Sequence, residues 1–248
     1  GWRSLCPITH SINTDTYYML EGDPSGTPLF DFTSEQAIEA LEIMKQMLDL
    51  SSANALQPGT TDGGVNMTPD EISFSAQNVA YYIKYQNAPL RFAENWDDPS
   101  ALRIGALPSG GEGATVFWTT GACLFKNGQN KEKAAEYMQS LTYEPQIWQD
   151  SIAGSASGKP GHLPPYTSIY DEWAQNPPDW LQAEPWVPAV TGSMAVAKAI
   201  PNHAFGLQQF IIGQPEWEKY LKGEVDDPMV ALQAAKDAVV AEVEKTLG

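Results

Sequence analysis

Apolar residues recur at helical spacing in three stretches of the chain. Between Thr33 and Leu50, the side chains of Ala37, Leu41, Met44 and Leu48 fall on one face at steps of three and four, which predicts a helix. Thr33 and Gln36 stand three apart at its start and read as a capping box. A second stripe, Ala134, Tyr137, Met138 and Leu141, follows the polar turn Asn127-Gly128-Gln129-Asn130. The third runs through Leu232, Ala235, Val239 and Val243. Asp226 or Asp227 is placed to cap it, and Pro228 stands near its first position.

Shorter patterns fill the rest. Trp2–Pro7 and Asp15–Glu21 read as strand material with loops, closed by the turn Asp23-Pro24-Ser25-Gly26. Ser51–Thr68 is a polar loop, and Pro69-Asp70-Glu71 opens a helix whose proline and acids suit an N-terminus. Ala101–Leu107 and Ala122–Phe125 read as short strands. Between them lies a Gly-rich loop that ends in Trp118-Thr119-Thr120-Gly121. A short helix is expected over Glu144–Ile152, then a Gly/Ser/Pro loop over Ala153–Pro165, then a loop-rich segment with one short helix from Tyr166 to Trp186. Met194–Gly213 is largely apolar, broken at Pro201-Asn202-His203.

The order of three of these segments resembles a known family. They are the strand ending in Leu107-Pro108 with its Gly-rich loop and KEKAAEYM helix (131–138), the TSEQAIEALEIMK helix (33–45), and Tyr220-Leu221-Lys222-Gly223-Glu224 leading into Asp226-Asp227-Pro228. Together they resemble the sugar-binding class of ABC-importer solute-binding proteins, the class that includes maltose-binding protein. Phe74–Ile83 is similar to that class's F-x-x-G-x-A-M segment, with Asn78 and Tyr81 or Tyr82 near where Gly and Met are usual. The resemblance implies an α/β fold: a periplasmic-binding-protein-like lobe with a small sheet flanked by helices on both faces, from a truncated two-lobe type II binding protein. It implies that 1–118 and 168–248 form the second lobe and that 119–167 return to the first. The family's opening βαβ run has no counterpart here, so half of a two-lobed site is expected.

The function implied is non-enzymatic: binding a mono- or oligosaccharide and delivering it to an ABC permease. The location implied is periplasmic or extracellular, with a lipid anchor on a missing N-terminus as one form. Two other functions stay open. One is a secreted carbohydrate-active enzyme using carboxylate pairs; the other is a sugar-sensing module not linked to transport.

Composition narrows this picture. Hydrophobic residues at 42% of 248 positions suffice for a core, so disorder is not the default. Acids outnumber Lys and Arg by 31 to 14, a net charge of −17 that repels nucleic acid and anionic membranes. Cys6 and Cys123 lie far apart without a CxxC, so zinc or redox chemistry is not expected, while one long-range disulfide or two buried thiols both stay open. The three histidines, His10, His162 and His203, lack metal-ligand spacing, and no nucleophile elbow or P-loop is present. Neither a catalytic residue, a metal ligand nor a cofactor is therefore assigned. Asp97-Asp98 and Asp226-Asp227 could serve a glycosidase in principle, but they read as turn and cap residues.

Sugar binding needs aromatic faces for stacking and amides, hydroxyls and charged groups for the sugar hydroxyls. Trp118, with Thr119 and Thr120 beside it, is the leading candidate because it ends the Gly-rich loop. The resemblance adds His10, Ser11 and Asn13 at the end of a strand. It also adds Tyr82, Tyr85 and Asn87 after the FSAQNVAYY segment (74–82), and Asn202 and His203 form a candidate cleft loop. Each has a competing reading as a packing or turn residue.

Overall fold

A computed structural model describes residues 2–18, 29–51, 60–62, 65–67, 69–83, 96–98, 101–103, 105–107, 115–117, 123–144, 146–147, 166–177, 192–193, 195–200, 205–206 and 208–247. The chain divides into two compact units. The first comprises Gly1–Ile83, Ala106–Phe117 and Ser193–Gly248; the second comprises Lys84–Gly105 and Trp118–Gly192.

In the first unit, helix α1 (Trp2–Ile12) occupies the segment expected as strand and loop. Pro7 lies inside it, which explains the misreading, since proline removes a backbone donor and normally ends a helix. Helix α1 is enclosed: Leu5, Cys6, Ile8, Thr9, His10 and Ser11 are all buried. Its hydroxyls are satisfied locally, because Thr9 Oγ1 donates to the Leu5 carbonyl at 2.9 Å and Ser11 Oγ to the Ile8 carbonyl at 2.7 Å. Burial pushes the Cys6 thiol up from its ordinary pKa. Cys6 is buried, Cys123 is exposed, and neither forms a disulfide.

Helix α2 (Glu35–Asp49) forms where its stripe predicts, with Ala37, Ala40, Leu41 and Met44 buried. Its cap is Ser34, one residue later than expected. Ser34 Oγ accepts from the Ala37 amide at 3.1 Å, while the Thr33 hydroxyl donates to Asp31 Oδ1.

Helices α6 (Gln208–Leu221) and α7 (Pro228–Leu247) form a helical hairpin over the same core. Gly213 and Pro215 punctuate α6 and hide it in the sequence. Gly213 is needed for packing: a Cβ there would meet the Phe32 ring at 3.1 Å and the Ala235 Cβ at 3.4 Å. The helix closes at Gly223, whose φ of 74° lets the Glu224 amide reach the Lys219 carbonyl at 2.9 Å. Asp227 then caps α7 by accepting from the Met229 amide at 2.8 Å. The core joins α1, α2, α6 and α7 through Leu5, Phe30, Phe32, Leu41, Trp217 and Leu232, with further apolar side chains around them.

Strands are short and occur as pairs. β1 (Tyr17–Tyr18) and β2 (Leu29–Phe30) are antiparallel, as are β3 (Thr60–Asp62) and β4 (Val65–Met67), inside the segment expected as loop. β5 (Val116–Phe117) and β6 (Lys198–Ala199) are parallel. The fold is therefore α/β with a small parallel pair, and among the described residues its strands make three separate two-stranded sheets.

Helix α3 (Pro69–Ser75) ends at Gln77, which holds a φ of 59° while the Asn78 amide reaches the Ser73 carbonyl at 2.9 Å. The left-handed residue is thus Gln77, three after Phe74, rather than Asn78.

The second unit contains α4 (Lys131–Tyr143) and α5 (Thr167–Gln175). Ile169 and Trp173 of α5 are buried, and Tyr143 at the end of α4 meets Tyr166 edge to face at 4.6 Å. Helix α4 itself has no buried residue. The strand expected over Ala101–Leu107 is absent from its described residues, as is the strand over Ala122–Phe125, where 123–125 are exposed and irregular. Of the helix expected over Glu144–Ile152, residues 146–147 are helical and 148–152 lie outside the described residues.

Candidate ligand site around Asn13, Asp15 and Lys198

The end of α1 and the start of β6 bring four polar residues together within the first unit. Asn13 follows the helix and turns the chain: its Oδ1 accepts from the Asp15 amide at 2.8 Å, and its carbonyl accepts from Thr16 Oγ1 at 2.8 Å. Lys198 reaches this turn from β6, donating to the Thr14 carbonyl at 2.6 Å and to Asp15 Oδ1 at 2.9 Å. The register of the parallel pair fixes Lys198 there, since it stands opposite Val116, a core residue.

Electrostatics follow from this geometry. The hydrogen bond and charge of Lys198 hold the Asp15 carboxyl below its ordinary range, so it is ionised at neutral pH. Enclosure lowers His10 to about 4, and the Lys198 ammonium adds to that effect while Asp15 opposes it. His10 is therefore neutral at neutral pH. The Lys198–Asp15 pair is open to water, with Asp15 85% exposed, so it orders the turn more than it stabilises the fold. An ammonium, a carboxylate and an amide on one turn can hydrogen-bond the hydroxyls of a polar ligand.

Three of the expected residues meet here, in different settings. Asn13 lies on the turn and is half-buried, whereas His10 and Ser11 lie behind it, fully or almost fully enclosed. Tyr82 sits elsewhere in the unit, stacked on Phe74 at 5.1 Å and half-buried. Trp118, Thr119, Thr120, Tyr85, Asn87, Asn202 and His203 lie outside the described residues. Lys198 and Asp15 were missed in the sequence. The signal for Lys198 was a single cation inside the apolar run Ala195–Ile200.

Asp97 and Asp98 are exposed, and Asp227 is engaged in capping α7. Among the described residues, no group of three or more His, Cys, Asp or Glu could hold a metal ion, and no helix is long and apolar enough to cross a membrane. No family model and no curated protein sequence matches the chain.

Proposed function

We propose that the chain belongs to an extracytoplasmic solute-binding protein that captures a carbohydrate and hands it to an ABC importer in the membrane, without a chemical step. The observation that carries this reading is the backbone at two of the resembling motifs. Gln77 takes the left-handed conformation three residues after Phe74, where an F-x-x-G spacing puts glycine. The YLKGE-to-DDP segment forms a closed helix, a left-handed Gly223 and a capped second helix. A short parallel pair against α1 and a polar turn at its edge are in keeping with a lobe of such a protein. The finer fold assignment, a periplasmic-binding-protein-like lobe, is part of the same proposal, as is the grouping of 1–118 with 168–248.

In this reading Asn13, Asp15 and Lys198 meet sugar hydroxyls, and Trp118 covers a sugar face. A thermal-shift screen of the protein against mono- and oligosaccharides tests it. We expect stabilisation by one sugar class, with Trp118→Ala weakening affinity about tenfold, since ring–ligand contacts reach roughly 1.5 kcal/mol. Stabilisation only by polyamines, peptides or metal ions sinks the reading. Turnover of aryl-glycosides that is lost in Asp97→Asn or Asp227→Asn would replace it with a hydrolase.

A further inference from the structure

The polar turn after α1 is held from two sides. From the helix, the Asn13 amide donates to the Thr9 carbonyl at 3.0 Å, so the turn continues directly from the last turn of α1. From β6, Lys198 donates to the Thr14 carbonyl and to Asp15 Oδ1, across 184 and 183 positions of the chain. Lys198 thus latches the turn to a distant segment. Its side chain is 36% exposed, so water is within its reach. His10 stands behind the latch, on the last turn of α1 and four residues before Thr14, and is fully enclosed. Lys198 and Asp15 are the charged groups that act on it. Helices α2 and α6 and strand β5 also pack against α1, and among the described residues they bury no charged side chain. The Cys6 thiol on α1 itself is kept protonated by its burial.

Enclosure first, and then the Lys198 ammonium, hold His10 neutral at neutral pH. A proton on His10 puts a second cation in the enclosed space behind the turn, where like charges repel more strongly than in water. For His10, reaching water means pulling α1 apart; for Lys198 it takes only a rotation of the lysine stem. We propose that His10 is an acid-sensitive trigger for this turn: on taking up a proton it drives Lys198 off the Thr14 carbonyl and Asp15, and the turn that meets the ligand opens. Capture then belongs to neutral pH and release to acid. The inference concerns the regulation of the site of the carbohydrate-binding reading and rests on that reading for its purpose. Asp15 does not supply the effect, because Lys198 holds its carboxyl below the ordinary range and it is still ionised where His10 begins to charge. Coupling of this kind is reciprocal, so Lys198 must also hold back the protonation of His10.

Nuclear magnetic resonance on the isotope-labelled chain, titrated downward from about pH 7.5, reads both partners. Ring shifts follow the charge of His10, while the Lys198 side chain and the Asp15 amide, held by Asn13 Oδ1, report the turn. We expect the Lys198 and Asp15 signals to change with the same midpoint as His10, while amides in the middle of α7 stay constant. Lys198→Met, a change at a partly exposed side chain, should raise the His10 midpoint by about one unit toward its ordinary value. His10→Gln should leave Lys198 and Asp15 in place through the whole range. If that variant does not fold, Lys198→Met decides alone. Lys198 and Asp15 signals that stay flat while His10 titrates overturn the proposal, as does a His10 midpoint that Lys198→Met leaves unchanged. A simultaneous change in α7 also overturns it, since that is unfolding rather than release of the turn. No sugar enters these readouts. A turn that stays shut in acid leaves the carbohydrate reading intact, and a failed sugar screen leaves the acid response of the turn standing.

Discussion

Helices α2 and α4 carry the same apolar spacing over nearly the same length, fifteen residues against thirteen. Four residues of α2 are buried against α1, α6 and α7, whereas α4 buries none. The periodicity that announces a helix says that one face seeks cover, and nothing about what provides it. Capping separates the two as well: Ser34 closes α2 with a hydrogen bond, and Asn130 closes nothing. Stability in this molecule is concentrated where N-terminal and C-terminal segments share one core.

The hardest test of that contrast removes one large side chain from each region. Trp217 is fully buried in α6, so Trp217→Ala should cost about 3–5 kcal/mol in urea unfolding followed by far-ultraviolet circular dichroism. Tyr137→Ala, measured in dilute solution, should stay within about 0.5 kcal/mol. Equal losses at the two sites would erase the distinction.

Next in size is a proton effect confined to the enclosed region. His10 is lowered to about 4 in the folded chain from an ordinary 6.5, so folding favours its neutral form. Its contribution is complete above the unfolded value and disappears as pH falls through the folded one, a loss of roughly 3 kcal/mol. Denaturant midpoints between neutrality and about pH 4 should therefore fall less steeply in His10→Leu than in the parent. Parallel slopes would place His10 in contact with water.

The backbone offers a smaller probe with the opposite sign. Gln77 holds a left-handed conformation that disfavours side chains by about 1–2 kcal/mol, so Gln77→Gly should raise the melting temperature. A lowered melting temperature would mean that the Gln77 side chain holds the end of α3 in place.

Caps give the finest test. Ser34→Ala should cost about 1 kcal/mol in the same unfolding assay, whereas Asn130→Gly should change stability by a few tenths at most. A comparable loss at Asn130 would show that the start of α4 is held by its own residues.

The legible part of the fold was the part whose apolar stripe runs unbroken. α2 and α7 were readable because Ala37, Leu41 and Met44, and likewise Leu232, Ala235, Val239 and Val243, repeat without interruption. α1 and α6 were not, since Pro7, Gly213 and Pro215 look like stops until tertiary packing overrides them. In α6, Phe210, Gly213, Trp217 and Leu221 do form a helical stripe, but glycine at its centre reads as a break rather than as the socket for Phe32. The cap of α2 slipped by one residue because Thr33 and Ser34 are chemically interchangeable, and only Asp31 decides between them by engaging Thr33. The apolar runs at 101–107 and 122–125 misled for the reverse reason: short runs lack the length that tells a strand from an irregular segment. In the candidate site, Asn13 was expected at the end of a strand and stands instead on the turn that follows α1. Its partners were not readable, because the Lys198–Asp15 contact joins positions 183 apart.

One small contact bears on how the chain acquires its structure. The buried Gln209 amide accepts from the Phe30 backbone across 179 residues, and its nitrogen donates to the nearby Gly206 carbonyl. Lys45 makes a similar reach, donating to the Leu221 carbonyl across 176. During synthesis, the apolar faces of α1 and α2 thus emerge long before the α6–α7 hairpin that covers them. That hairpin closes through local contacts and is expected to form fast, while its joining to α1 and α2 is the slow, entropically demanding step. Until that hairpin has been made, Leu5, Leu41 and Met44 lack the cover that Phe210, Trp217, Leu232 and Val239 give them in the folded core.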